Sequence, residues 1–274
     1  MAGDAARFER RPADWVSVEE AQARILDGAS PLTAESAILE DARGRVLAGH
    51  LEARATLPPW DNSAMDGYAV RAGDLTGATE ANPVVLRVVG SVHAGDLQPP
   101  PDLAQGQASR IMTGAPLPPG ADAVVRVEDT DQEVTEPGRV RVNAVVEPGR
   151  YVRPGGEDAR AGERVLEAGR LVTSGVIGLA AATGHVQVFV HRRPAVTLVA
   201  TGDELRGPDR YDDVVLGRGI PESNTPMLAA MVRDAGSMVS GATIARDDEQ
   251  DLGQRIDEAG DADVLVTIGG ASMG

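Results

Sequence analysis

Five stretches of the chain set carboxylates and hydroxyls among turn-forming residues. The first, Leu57–Val70, reads L-P-P-W-D-N-S-A-M-D-G-Y-A-V. Asp61 and Asp66, with Asn62, Ser63 and Gly67, form a set able to present oxygen ligands or backbone donors; the same run reads equally as an Asx-turn entering a strand. The second, Arg110–Pro116, places Thr113 beside Gly114 at a strand end, where N–H groups and the threonine oxygen can meet a phosphate. A plain turn is the commoner outcome of that spacing. The third, Arg153–Asp158, sets an arginine and two carboxylates around Gly155-Gly156, as either a metal or phosphate loop or a solvated turn. The fourth, Thr201–Leu205 (T-G-D-E-L), and the fifth, Gly269–Gly274 (G-G-A-S-M-G), each follow an apolar strand-like run. Ligands of open α/β sheets bind outside the carboxyl ends of such strands, so position strengthens these two more than composition does. Neither carries the G-x-G-x-x-G dinucleotide pattern.

Composition excludes several other chemistries. The chain has no cysteine, which removes zinc ribbons, iron–sulfur ligation, thiol nucleophiles and a disulfide scaffold. Its four histidines (His50, His93, His185, His191) show no metal-binding spacing. All 26 basic residues are arginine, so neither a P-loop lysine nor a Schiff-base lysine exists. Against 42 acidic residues they leave a formal charge of −16, which argues against a nucleic-acid or anionic-membrane footprint. An anionic small molecule is still admissible where metal ions or aimed N–H groups receive it. The first residues lack the apolar core of a signal peptide, and no run reaches the length of a membrane span. A soluble, cytoplasmic protein is expected.

At roughly 150 residues per domain, 274 residues suggest about two domains, or three small ones. Ser17-Val18-Glu19-Glu20 has capping-box spacing, and Val18, Ala21, Ile25 and Leu26 share the face of the helix it starts, which Gly28 ends. From about Pro58 to Pro148 short β-type runs (Val84–Val89, Ala123–Val127, Arg139–Val146) alternate with proline and glycine turns. Leu171–Thr183 reads as a small-residue helix and Val186–Val190 as a strand. After Arg193-Pro194 the rhythm becomes strand (Ala195–Ala200), helix (Ser223–Ala235), strand (Met238–Ile244), helix (Glu249–Ala259), strand (Val264–Ile268). That alternation implies a parallel sheet with helices on its faces. A glycine loop after such a strand ordinarily leads into a helix; the sequence stops first, and reads as truncated.

Taken together the five stretches resemble the MoeA-type molybdopterin molybdenumtransferases, the family that includes the E domain of gephyrin. The resemblance runs from about Val18 to the end, through Pro58–Val70, Gln105–Asp129, Val152–Gly162, Val199–Leu205 and Gly269–Gly274. It implies a multidomain α/β plus β protein: an elongated mixed first domain (13–57 and 150–190), an inserted β-rich domain (58–149), and the first half of a doubly wound α/β molybdopterin-binding domain (191–274). The implied activity is the last step of molybdenum cofactor synthesis: adenylylated molybdopterin is bound, AMP is released with Mg²⁺, and molybdate is inserted at the dithiolene. Carried over by motif, Asp61, Thr113, Asp158 and Glu204 are the catalytic candidates, with Glu204 the magnesium ligand. Ser63, Asp66, Gly114, Gly202, Asp203, Gly269, Gly270 and Ser272 are the substrate-binding candidates. The resemblance further implies a homodimer whose site lies across the subunit interface.

Two departures stand out. The aspartate-containing segment and lysines usual after the family's glycine loop are not in the chain, and Arg218 stands where a glycine tends to precede Ile220, Glu222, Ser223 and Asn224. The residue types suit the implied chemistry. Molybdate and a phosphoanhydride are anions, and carboxylates facing them need a magnesium ion in between. Molybdenum is ligated by the substrate's own sulfurs, so a chain without cysteine suffices. A non-catalytic binding or scaffold protein on the same fold is the competing reading; a pure scaffold has no need of Asp61, Asp158 and Glu204.

Overall fold

The computed structural model describes residues 16–96 and 99–269. It divides into two compact units, one taking residues up to 36, 44–48 and from 189 onward, the other residues 37–43 and 49–188. The first unit opens with α1 (Val18–Asp27), where the Ser17 side chain accepts from the Glu20 N–H and Gly28 caps the end, as the spacing predicts. Glu20 does not close the box; its carboxylate pairs with Arg24 one turn on, at 2.6 Å. The apolar stripe of α1 faces outward, with Val18, Ile25 and Leu26 all about 70% exposed.

The core of the second unit is a five-stranded sheet. Its strands are β1 (Gly67–Val70), β2 (Val84–Val92), β3 (Gln107–Ile111), β4 (Ala123–Arg126) and β5 (Arg139–Val142), in the order β4-β1-β3-β2-β5. All neighbours are antiparallel except β2 and β3. Every residue of β1 is buried. Its period of two sends Tyr68 and Val70 into one core with Leu86, Val125 and Val140, and Ala69 into another with Val92, Ile111 and Val124. Gly67 fits because it has no side chain: a Cβ there would lie 1.9 Å from the Val125 carbonyl oxygen. The strand expected over Arg139–Val146 ends at Val142, because the Asn143 N–H leaves the ladder for the Asp129 carbonyl. The same unit contains α2 (Ser174–Ala182), which starts three residues later than the apolar pattern predicts because Thr173 is its N-cap.

The α/β part of the first unit follows the expected rhythm. It comprises β6 (Ala195–Thr201), α3 (Asn224–Asp234), β7 (Met238–Ala245), α4 (Glu249–Glu258) and β8 (Val264–Ile268). The sheet is parallel in the order β7-β6-β8, so the first strand is central. Val196, Leu198 and Ala229 pack with Leu228, Val232, Val239, Val266 and Ile268 beneath α3. At the amino ends of β6 and β8 the Arg192 guanidinium grips the Asp263 carboxylate with both terminal nitrogens, and Asp263 also accepts from the Ala195 N–H at 2.8 Å. Among the described residues no helix is long and apolar enough to cross a membrane.

Candidate functional site

In the β-rich unit three of the predicted stretches are stitched into one loop cluster. Asn62–Ser63 pairs antiparallel with Val152–Arg153, which sets the first stretch beside the third. Asp61 Oδ1 then accepts from the Gly155 N–H at 2.7 Å. A Cβ on Gly155 would come within 3.3 Å of the Trp60 backbone, and Gly156 has φ +77°, so this turn requires its two glycines. The second stretch joins through Ser63, whose carbonyl accepts from Gly114 and whose N–H donates to Ala115.

Each candidate side chain here has a partner. Ser63 is about 1% exposed; its hydroxyl donates to the Met65 carbonyl and accepts from the Met65 N–H, which makes it a turn residue. Asp66 Oδ1 accepts from both the Thr113 N–H (2.7 Å) and the Thr113 hydroxyl (2.8 Å). The backbone bond to Thr113, then the hydroxyl bond, hold the Asp66 carboxyl below its ordinary range. Both oxygens of Asp158 accept from Arg153 at 3.0 Å, while Arg153 Nε donates to Glu157 at 2.8 Å. The pair of carboxylates raises the Arg153 pKa, through the hydrogen bond to Glu157 first and that to Asp158 next.

Of the two readings of the Thr113-Gly114 spacing, the hydrogen bonds are those of a plain turn: the N–H groups of Thr113, Gly114 and Ala115 donate to Asp66, Ser63 and Met112. In the third stretch the N–H groups of Gly155, Gly156, Glu157 and Asp158 are likewise committed, to Asp61, Pro58, Pro154 and Leu57. These loops satisfy themselves and offer no backbone nest.

The α/β strand ends differ. Gly202 (φ +152°) follows β6 and Gly269 (φ +128°) follows β8, adjacent strands of the sheet. A Cβ on Gly269 would meet Thr201 Oγ1 at 2.4 Å, and one on Gly202 would meet the Glu204 carboxylate at 2.9 Å. Glu204 is exposed and curls back over Gly202. Among the described residues the N–H groups of Asp203 and Glu204 have no hydrogen-bond partner. Gly270 and Ser272 lie outside the described residues.

Beside this loop opens a cavity of about 860 Å³, whose walls include Gly202, Asp203, Glu222, Thr225, Arg233 and Arg246 but not Glu204. Glu222 is about 6% exposed, and its Oε1 accepts from the Thr225 N–H at the start of α3. Its signal in the sequence is an acidic residue ahead of Ser223-Asn224. Arg206 ties the loop together by donating to the carbonyls of Asp203, Leu205 and Arg218. Arg218, which stands where the family tends to have glycine, thus contributes only its backbone to that tie.

Magnesium makes a specific demand. Among the described residues no three carboxylate or imidazole groups converge on one point. Mg²⁺ is ordinarily held by one or two carboxylates with waters and substrate phosphates. The exposed Glu204 carboxylate, next to Asp203, fits an ion whose other ligands arrive with substrate, and does not fit an all-protein cage.

The two parts of the candidate site are thus a self-satisfied loop cluster on a β-rich sheet and an open glycine edge on a parallel sheet. Residues 16–184 match the family model described as MoeA N-terminal region (domain I and II), and residues 197–274 match the probable molybdopterin binding domain. The chain belongs to the MoeA family. It is 44% identical over 268 residues to molybdopterin molybdenumtransferase 2 of Mycobacterium tuberculosis, covering 94% of this chain and 62% of that protein. To the molybdopterin molybdenumtransferase of a Nostoc species it is 39% identical, covering 85% of this chain and 52% of the relative. The crystal structure of the molybdopterin biosynthesis MoeA protein of Pyrococcus horikoshii OT3 superposes with a TM-score of 0.83 at 31% identity, covering 91% of this chain and 65% of that one. The chain therefore spans about 52–62% of the length of these two curated relatives.

Proposed function

We propose that this chain binds adenylylated molybdopterin and takes part in its conversion to molybdenum cofactor, with Mg²⁺-dependent release of AMP and insertion of molybdate. The observation that carries this reading is the open edge at Gly202–Glu204, at the carboxyl end of the central strand: among the described residues two N–H groups and the Glu204 carboxylate have no hydrogen-bond partner there. There the N–H groups of Asp203 and Glu204 hold phosphate oxygens, and the Glu204 carboxylate holds the ion. Bound magnesium supplies polarisation of the phosphoanhydride. Gly202 and Gly269 let the substrate approach the sheet edge, while Asp61, Thr113 and Asp158 are presented by the stitched loops of the β-rich unit.

The same reading divides the chain into a first domain (13–57 and 150–190), an inserted β-rich domain (58–149) and a partial molybdopterin-binding domain (191–274), and gives it a cytoplasmic location. It also makes the protein a homodimer, with the β-rich domain of one subunit completing the site on the α/β domain of the other. The outward stripe of Val18, Ile25 and Leu26 on α1 supports an unfilled subunit contact. A monomeric mass by light scattering at tens of micromolar counts against the dimer.

AMP release measured against magnesium concentration tests the activity. Glu204→Gln keeps the shape and removes the charge, and is expected to lower metal-dependent release at least about tenfold with an unchanged thermal melt. Unchanged release with unchanged magnesium dependence removes Glu204 from the metal site. Substrate binding by the unaltered chain without AMP release supports the non-catalytic scaffold reading instead.

A further inference from the structure

Thr113 carries two protons able to form hydrogen bonds, the amide and the hydroxyl, and both end on one oxygen, Asp66 Oδ1, at 2.7 and 2.8 Å. A hydroxyl has a single proton and two lone pairs, and an ionised carboxylate only accepts. With the Thr113 hydroxyl proton directed at Asp66, the exposed Oγ1 offers a ligand its lone pairs alone. The next two N–H groups of the turn donate to the Ser63 and Met112 carbonyls, so neither is offered to a ligand beside it. Gly114, with φ +80°, bends the chain away after Thr113 and leaves the hydroxyl at the tip. A phosphate or molybdate oxygen meeting this tip finds acceptors facing acceptors. A group with N–H bonds finds a partner.

We propose that Asp66 is a positioning residue that accepts the Thr113 hydroxyl hydrogen bond and fixes Thr113 Oγ1 as a hydrogen-bond acceptor, so that this loop recognises the amino and ring N–H groups of the substrate's heterocycles and not its anionic groups. The proposal rests on the function proposed above and assigns a polarity within it: anions belong to the N–H groups of Asp203 and Glu204, and heterocycle donors to Thr113. It moves Asp66 from contacting substrate to acting through another residue.

The test is calorimetric binding of adenylylated molybdopterin to the full chain, with thermal melts of every variant. Thr113→Ser keeps the hydroxyl and should bind within about twofold of the unaltered chain. Thr113→Val removes it and should weaken binding roughly 5- to 10-fold without lowering the melt. Asp66→Asn should weaken binding to a similar extent, and the double variant should bind no more weakly than Thr113→Val alone. Additive losses would place Asp66 in direct contact with substrate and overturn the proposal, as would full binding by Thr113→Val. Absence of binding by the unaltered chain overturns the functional reading and the ligand-facing half of the proposal with it. The Thr113 amide signal in a nitrogen–proton NMR spectrum decides the remaining half independently: an upfield move in Asp66→Asn supports the contact, and an unmoved signal overturns it.

Discussion

The carboxylates of the β-rich loops and those of the α/β strand ends are held in opposite ways. Asp61, Asp66 and Asp158 each accept from a neighbouring backbone or arginine donor, and in doing so they build the turns they occupy. Among the described residues the Glu204 carboxylate has no such donor; the turn beneath it is shaped by Gly202 and by the carbonyls that Arg206 gathers. The difference shows that a carboxylate in a functional motif can be architecture or instrument. Spacing along the chain does not separate the two, whereas the partners of its oxygens do.

The sharpest way to break this contrast is through the strand behind the β-rich loops. Gly67→Ala forces a Cβ against the Val125 carbonyl on a fully buried strand and is expected to cost about 3 kcal/mol or more. Urea unfolding should show that loss in the β-rich unit, leaving the α/β unit's transition in place. A smaller effect separates the carboxylates themselves. Asp61→Ala strands the Gly155 N–H and should lower stability by about 1 kcal/mol, while Glu204→Ala should leave the melt where it is. Equal effects from the two substitutions would erase the distinction.

The smallest expected effect concerns acid. The α/β unit places a two-pronged ion pair away from the ligand edge, at the strand amino ends, where Arg192 first and the Ala195 N–H second depress the Asp263 pKa to about 2. A depressed carboxyl contributes stability that is fully present above its unfolded value, near 4, and lost as pH falls through 2. Asp263→Asn should therefore flatten the acid dependence of α/β unfolding between about pH 4 and 2, measured by circular dichroism. An unaltered acid profile would show that the clamp contributes no pH dependence.

Much of the α/β half was legible, because β-branched runs alternating with capped amphipathic segments admit few other folds; the predicted Val264–Ile268 strand has those bounds. The β-rich half was less so. The strand Gln107–Ile111 is half polar, and Gly67–Val70 is hidden inside a motif that reads as a turn. The five stretches were visible because glycine, proline and acidic residues cluster locally. The role of Asp66 was not, since its partner lies 47 residues away and no local pattern announces a bond of that span.

The clamp between Arg192 and Asp263 also has a consequence for how the chain reaches its structure. It joins residues 71 apart, and the strand it anchors is the central one of its sheet. β6 is the first strand of that sheet to leave the ribosome, yet both strands that flank it follow later, one across α3 and the other across α4. Each pairing needs a crossover to close before any ladder bond rewards it, so the chain entropy is lost ahead of the gain. Nascent β6 thus carries two bare apolar edges until Met238 is made, and the edge that β8 covers stays bare through more than sixty residues, up to Val264. That interval, more than the finished fold, is when this part of the molecule is most exposed to wrong partners.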